Sequence, residues 1–136
     1  MQLTDDARTT AGVLLLALVA VEYGGTFLLR VSRGSQPATP LQQSFFRAGH
    51  AHAGVLVVLA LVCQLYLSAA ELDGLAEQVA GEGAALAAIL MPAGFFLSVA
   101  GRDVRRPNRL VVLVWLGAAS LAAGVVALGV GLLQAG

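Results

Sequence analysis

Residues Leu110–Ala135 read LVVLVWLGAASLAAGVVALGVGLLQA and carry no charge. Crossing the hydrocarbon core of a bilayer takes roughly 20 apolar residues in a helix, and this run exceeds that length. Working outward, three more stretches meet the same criterion. Ala84–Gly101 is interrupted at its middle by Pro92, Ala51–Ala70 is uncharged, and Ala11–Leu29 is broken only by Glu22. With flanking residues the spans cover about 11–31, 48–70, 84–101 and 110–134, and residues 1–136 read as a single transmembrane domain. The connections are short, so the expectation is an all-α integral membrane protein folded as a four-helix up-and-down bundle. The chain start, with Asp5 and Asp6 beside Arg8 and an apolar run continuing past Glu22, does not match the basic n-region and short core of a cleaved signal peptide.

Composition supports this reading. The chain is 58% hydrophobic and 12% charged, whereas soluble domains carry about 25% charged residues. Sixteen glycines suit helices packed closely in lipid. The net charge is zero and there is no lysine, which argues against a nucleic-acid partner. The single cysteine, Cys63, excludes an internal disulfide and a Cys-based zinc site. It reads as a small buried apolar residue.

The arginines set an orientation. Arg30, Arg33 and Arg47 flank the first connection, and Arg102, Arg105, Arg106 and Arg109 flank the third. The middle connection, Glu71–Gly83, carries Glu71, Asp73, Glu77 and Glu82 and no basic residue. Basic loops remain in the cytoplasm. The expectation is therefore a multi-pass protein of the plasma membrane with both termini outside. Residues 35–40 read as loop, and Leu41–Arg47 as either an interfacial segment or an ordinary helix start with aromatic anchors. Ser120 with Gly124, and Ala127 with Gly131, have small-xxx-small spacing that permits close helix contact.

Function is sought in the polar residues an apolar bundle tolerates, because ionisable groups at depth are costly and normally face the interior. Counting about 1.5 Å per residue from the arginines, Glu22 lies roughly 12 Å in, His52 roughly 7 Å and His50 roughly 4 Å. Tyr23, Phe95, Ser98 and Trp115 fall in the same layer, with Arg47 and Arg102 at its rim. Together they suggest a polar pocket walled by aromatics. Pro92, as a kink, would help to open it. His50 and His52 are two residues apart, about 200° around a helix. One should face its own bundle and the other outward, which a homo-oligomer would explain.

Three functional readings and one structural reading compete. His52 could be the axial ligand of a haem b, with Arg47 and Arg102 for the propionates and Trp115 in the wall. Glu22, Tyr23 and His50 would then act on a small apolar substrate. Alternatively, Glu22, His50 and His52 could bind a divalent metal ion, or form a proton or ion relay in a transporter. In the structural reading Glu22 pairs with His50, His52 or Arg47 and only ties the first two helices together. Likewise Trp115 could be an interfacial anchor, Asp103 a partner for a nearby arginine, and Gly24-Gly25 a packing contact. No phosphate loop, nucleophile–base pattern or HExxH is present.

The most distinctive string is Phe45-Phe46-Arg47-Ala48-Gly49-His50-Ala51-His52-Ala53-Gly54. It is similar to small four-helix membrane proteins with an Arg and a His-x-His at the start of helix two, and more distantly resembles the styrene oxide isomerases. The resemblance implies a four-span enzyme, trimeric, with haem b between subunits acting as a Lewis acid on an epoxide. The Ala-His-Ser-Gly of that family matches Ala51-His52-Ala53-Gly54, which makes His52 the implied axial ligand. The chain departs from the family pattern at Val58, where an asparagine is expected. Neither Tyr23 nor Tyr66 matches the family's pocket tyrosine, and Glu22 has no counterpart.

Overall fold

A computed structural model describes residues 3–135. Four long helices follow one another: α1 (Asp5–Ser32), α2 (Pro40–Leu67), α3 (Gly74–Ser98) and α4 (Val112–Gln134), the last entered through a 3₁₀ turn at Arg109–Val111. All four are long and apolar enough to cross a membrane. They form the expected up-and-down bundle of a multi-pass membrane protein. The α1–α2 and α3–α4 connections share the arginine-rich end, and the α2–α3 connection lies at the acidic end with both chain ends.

The helix ends follow from capping. The Thr4 hydroxyl accepts from the Ala7 N–H at 3.2 Å, and Asp5 and Asp6 in the first turn of α1 oppose its dipole, with Arg30 in the last. At α2 the Thr39 hydroxyl accepts from the Gln42 N–H, while the Gln42 side-chain carbonyl accepts from the Thr39 N–H, a reciprocal capping box. Pro40, which has no N–H to leave unpaired, occupies the first turn. Leu41–Arg47 is therefore the opening of α2, the second of the two readings for that segment. At the acidic end the connection is shorter than expected. Glu71 (φ 49°) and Gly74 (φ 53°) turn the chain sharply, and α3 starts at Gly74 rather than near Ala84. Glu77 and Glu82 thus belong to the first turns of α3, because carboxylates near a helix N-terminus do not stop it. Pro92 lies buried inside α3, which runs through it to Ser98.

Neighbours in sequence are neighbours in space: α1 packs on α2, α2 on α3, and α3 on α4. The α3–α4 seam is the tightest, and glycine makes it so. A Cβ placed on Gly83 would lie 2.7 Å from the Gly124 Cα, and one on Gly117 would lie 2.5 Å from the Met91 side chain. The Ser120 hydroxyl donates to the Gly83 carbonyl at 3.0 Å across the seam. The Ser120–Gly124 spacing is used here, against α3. The core gathers Leu14, Val57, Ala60, Cys63, Ala80, Ala84 and Leu128. Two buried glutamines tie the elements together. Gln64 donates from α2 to the Gly81 carbonyl, and Gln42 donates to the carbonyls of Val99 and Gly101 at 3.1 and 2.9 Å. The second tie, with the Thr39 hydroxyl donating to the Val104 carbonyl at 2.8 Å, clamps the two arginine-end connections to each other.

Candidate functional site

The site is organised by Gly49 on α2. A Cβ there would lie 2.9 Å from the Phe96 ring and 3.0 Å from the Phe95 Cβ, so α3 seats its aromatic pair directly on the α2 backbone. Only a glycine admits this approach. The contact divides α2 into two flanks. Toward α1, Phe46 stacks on Phe96 with ring centroids 5.6 Å apart and meets the edge of Phe27 at 5.2 Å. On the opposite flank Phe45 meets Phe95 edge-on at 5.7 Å.

The histidines follow these flanks. His50 lies over α1: its ring atoms would be 3.6–3.7 Å from a Cβ on Gly24 or Gly25. A side chain as small as alanine at either position would make only ordinary van der Waals contact with the imidazole, so the glycine pair is not what admits it. His52 lies on the other flank, half-buried, with its ring 5.0 Å from Phe95. Its Nδ1 is 2.7 Å from the Ala48 carbonyl oxygen one turn back. A carbonyl only accepts, so Nδ1 carries the proton and donates, and Nε2 keeps its lone pair. The two imidazoles lie on opposite flanks of α2, as the helical period requires, and both are half-buried rather than one turned in and the other out.

The remaining expected site residues do not converge with them. Glu22 is exposed on α1, Tyr23 is 75% exposed, and Trp115 is 72% exposed on α4. Arg47 donates from Nε to the Gln43 carbonyl at 3.2 Å and lines a shallow cavity with Leu28, Val31 and Ser32 of α1. Arg102 is exposed at the arginine-rich end, beside Thr39, Gln42 and Asp103. Ser98 is buried, donating to the Phe95 carbonyl at 3.4 Å. Equal depth thus did not mean a shared pocket: a common layer fixes height along the helix axis but not direction around it. Among the described residues no three of His, Cys, Asp and Glu gather to hold a metal ion, so Glu22, His50 and His52 are not assembled as a ligand set. The one ion pair among them is Arg8 with Asp5 at 2.9 Å. The pairing of Glu22 with His50, His52 or Arg47, and of Asp103 with an arginine, is not formed.

A feature not anticipated is a cavity of about 510 Å³ along α1, α2 and α3, on the His50 flank. Its walls are mostly aliphatic, with Thr9 and Thr10 at one end and Phe96 and His50 at the other, and His50 is the one ionisable side chain among them. The signal in the sequence was the small residues at Ala17, Ala20 and Gly24, spaced to fall on one helix face. Compared with known protein families, curated proteins and solved structures, the chain gives no match.

Proposed function

We propose that the chain is a plasma-membrane protein, with both termini outside the cytoplasm, that holds haem b through His52 at a contact between copies of itself. The observation that carries this reading is the Nδ1–H of His52 donated to Ala48. Imidazoles that ligate metals almost always donate their other N–H to a carbonyl or carboxylate, which fixes the tautomer and makes Nε2 the better donor. His50 has no such lock.

The residues around His52 fit the group in part. Phe95 and Phe45 supply an apolar aromatic wall beside the imidazole, as a planar macrocycle needs. Arg102, Arg105 and Arg106 are exposed at the arginine-rich end and suit carboxylate side chains of the group. Arg47 lies toward α1, on the flank away from His52, and Trp115 is exposed on α4, where only a second copy would bring it to the group. Haem bound there would supply Lewis-acid or redox chemistry to a small apolar substrate arriving through the bilayer. The flank that bears His52 faces away from α1, so a neighbouring copy would close it. The match of Ala51-His52-Ala53-Gly54 to the styrene oxide isomerases supports the same ligand, and a trimer. The arginine distribution supports the orientation.

The test is the visible spectrum of protein purified from cells supplied with a haem precursor and then titrated with hemin. The expected result is a stoichiometric Soret band that His52→Ala abolishes and His50→Ala retains. A colourless protein that takes up no hemin, or a band that survives His52→Ala, would overturn the reading.

A further inference from the structure

The cavity on the other flank of α2 has its own chemistry, independent of anything held by His52. It exists because α1 and α3 present small side chains to each other across α2: Ala17, Ala20 and Gly24 from α1, Ala53 from α2, Ala85 and Ala88 from α3. It runs from Thr10 to Gly24 along α1, about 21 Å at the helical rise. Its volume of about 510 Å³ is in the range of ligand sites and holds on the order of 17 groups the size of a water or methylene. Val13 and Ile89 on its walls are 62% and 66% exposed, so it opens sideways, where the bilayer lies.

At the end nearer the arginines stands His50. It is ten residues into α2, about 15 Å from the start of that helix. Neither ring nitrogen makes a hydrogen bond within the described residues, and the ring lies against Gly24 and Gly25 of α1. An imidazole N–H left unpaired in hydrocarbon costs free energy, and a hydrogen-bonding group on a bound molecule would relieve it. No arginine, aspartate or glutamate lines the cavity, so a charged head would be bare there and a neutral one is favoured.

We propose that this groove is a binding site for a long-chain, uncharged, single-tailed molecule whose carbonyl or hydroxyl head hydrogen-bonds His50 while its tail lies along α1. A phospholipid does not satisfy these terms, because it carries two acyl chains and a charged headgroup, whereas the groove has the volume of one tail and no charged side chain to meet a headgroup.

The test uses the full chain in phosphatidylcholine nanodiscs with a 16-carbon primary alcohol carrying a diazirine on its chain, and reads the labelled peptides by mass spectrometry. The expected result is saturable labelling on α1 and α3 around Ala20 and Ala88. Unlabelled hexadecanol and 2-hexadecanone should compete; hexadecane should compete about three- to tenfold less well, as loss of one hydrogen bond predicts, and palmitate less well because no cationic side chain in the groove meets its carboxylate. His50→Phe should weaken labelling by about tenfold, and Ala20→Phe, which fills the groove, should abolish it. Labelling that does not saturate, that hexadecane displaces as well as hexadecanol, or that both variants leave unchanged would overturn the proposal. Head-group selectivity on the unaltered chain decides the matter even if a variant fails to fold. Because no arm depends on haem, the proposal and the role of His52 stand or fall separately.

Discussion

Gly124 and Gly129 lie on the same helix, five residues apart, and the structure predicts opposite responses to the same substitution. A Cβ on Gly124 would be 2.9 Å from the Gly83 Cα and 3.1 Å from the Val79 carbonyl oxygen, both backbone atoms of α3. Neither can rotate away, so Gly124→Ala must push α3 and α4 apart along their tightest contact. It would also stretch the hydrogen bond from Ser120 to Gly83. Overpacking of this kind costs about 1–3 kcal/mol. Gly129 has nothing within 4 Å of the same position. There alanine adds only helix propensity, a gain of roughly 0.5–1 kcal/mol. The two variants should therefore differ by about 1.5–4 kcal/mol, with the unaltered chain between them. Reversible unfolding in mixed micelles, followed by circular dichroism as denaturing detergent increases, measures both against it. If Gly124→Ala is as stable as Gly129→Ala, the α3–α4 seam is not held at glycine distance and the packing described above is wrong.

Two further substitutions probe the arginine-rich end and the aromatic saddle. Gln42 is 5% exposed and makes three hydrogen bonds, one within its capping box and two to α3-end carbonyls. Gln42→Leu should cost about 2–4 kcal/mol, the sum of lost bonds and an orphaned buried carbonyl. Hydrogen exchange should rise selectively in the 99–108 connection, and uniform exchange would contradict the clamp. Gly49→Ala should cost about 1–3 kcal/mol in the same micelle assay, since Phe95 and Phe96 must shift. Gly54→Ala, whose nearest neighbour is 3.9 Å away, should be neutral or stabilising.

The membrane-spanning architecture was legible because hydropathy is summed over long windows, and Leu110–Ala135, Ala51–Ala70 and their companions are unmistakable at that scale. The helix ends were less so, and the reason differs from end to end. Thr39-Pro40 and Gln42 together form a recognisable helix start, yet residues 35–40 also read as a loop because Pro and Ser serve both purposes. Glu77 and Glu82 read as connection because charge marks the edge of the hydrocarbon, but an α-helix is indifferent to that edge and α3 continues nearly three turns beyond it. Depth along a span and the end of a helix are separate quantities, and only the first is written in hydropathy.

The same distinction governs the candidate site. Direction around a helix follows from spacing when two residues share that helix, which is why the opposite flanks of His50 and His52 could be read in advance. It does not follow between helices. A helix in lipid is apolar on every face, so no polar face marks its outside and no apolar stripe its inside. The direction of Glu22, Tyr23 and Trp115 therefore had to come from packing. What does orient such a helix is side-chain size. Gly49 under two phenylalanines, and Gly83, Gly94, Gly117 and Gly124 along the α3–α4 seam, are places where a Cβ has no room. They decide which way α3 turns on α2 and α4 on α3. With those contacts set, Glu22 is left on the outer surface of α1, about ten residues from the last residue of that helix. A carboxylate at that depth needs a polar or protonating neighbour, and within the described chain no side chain provides one. The outward face of α1 thus carries an acidic group that acyl chains cannot satisfy, placed there by the packing of the helices and not by its depth along the helix.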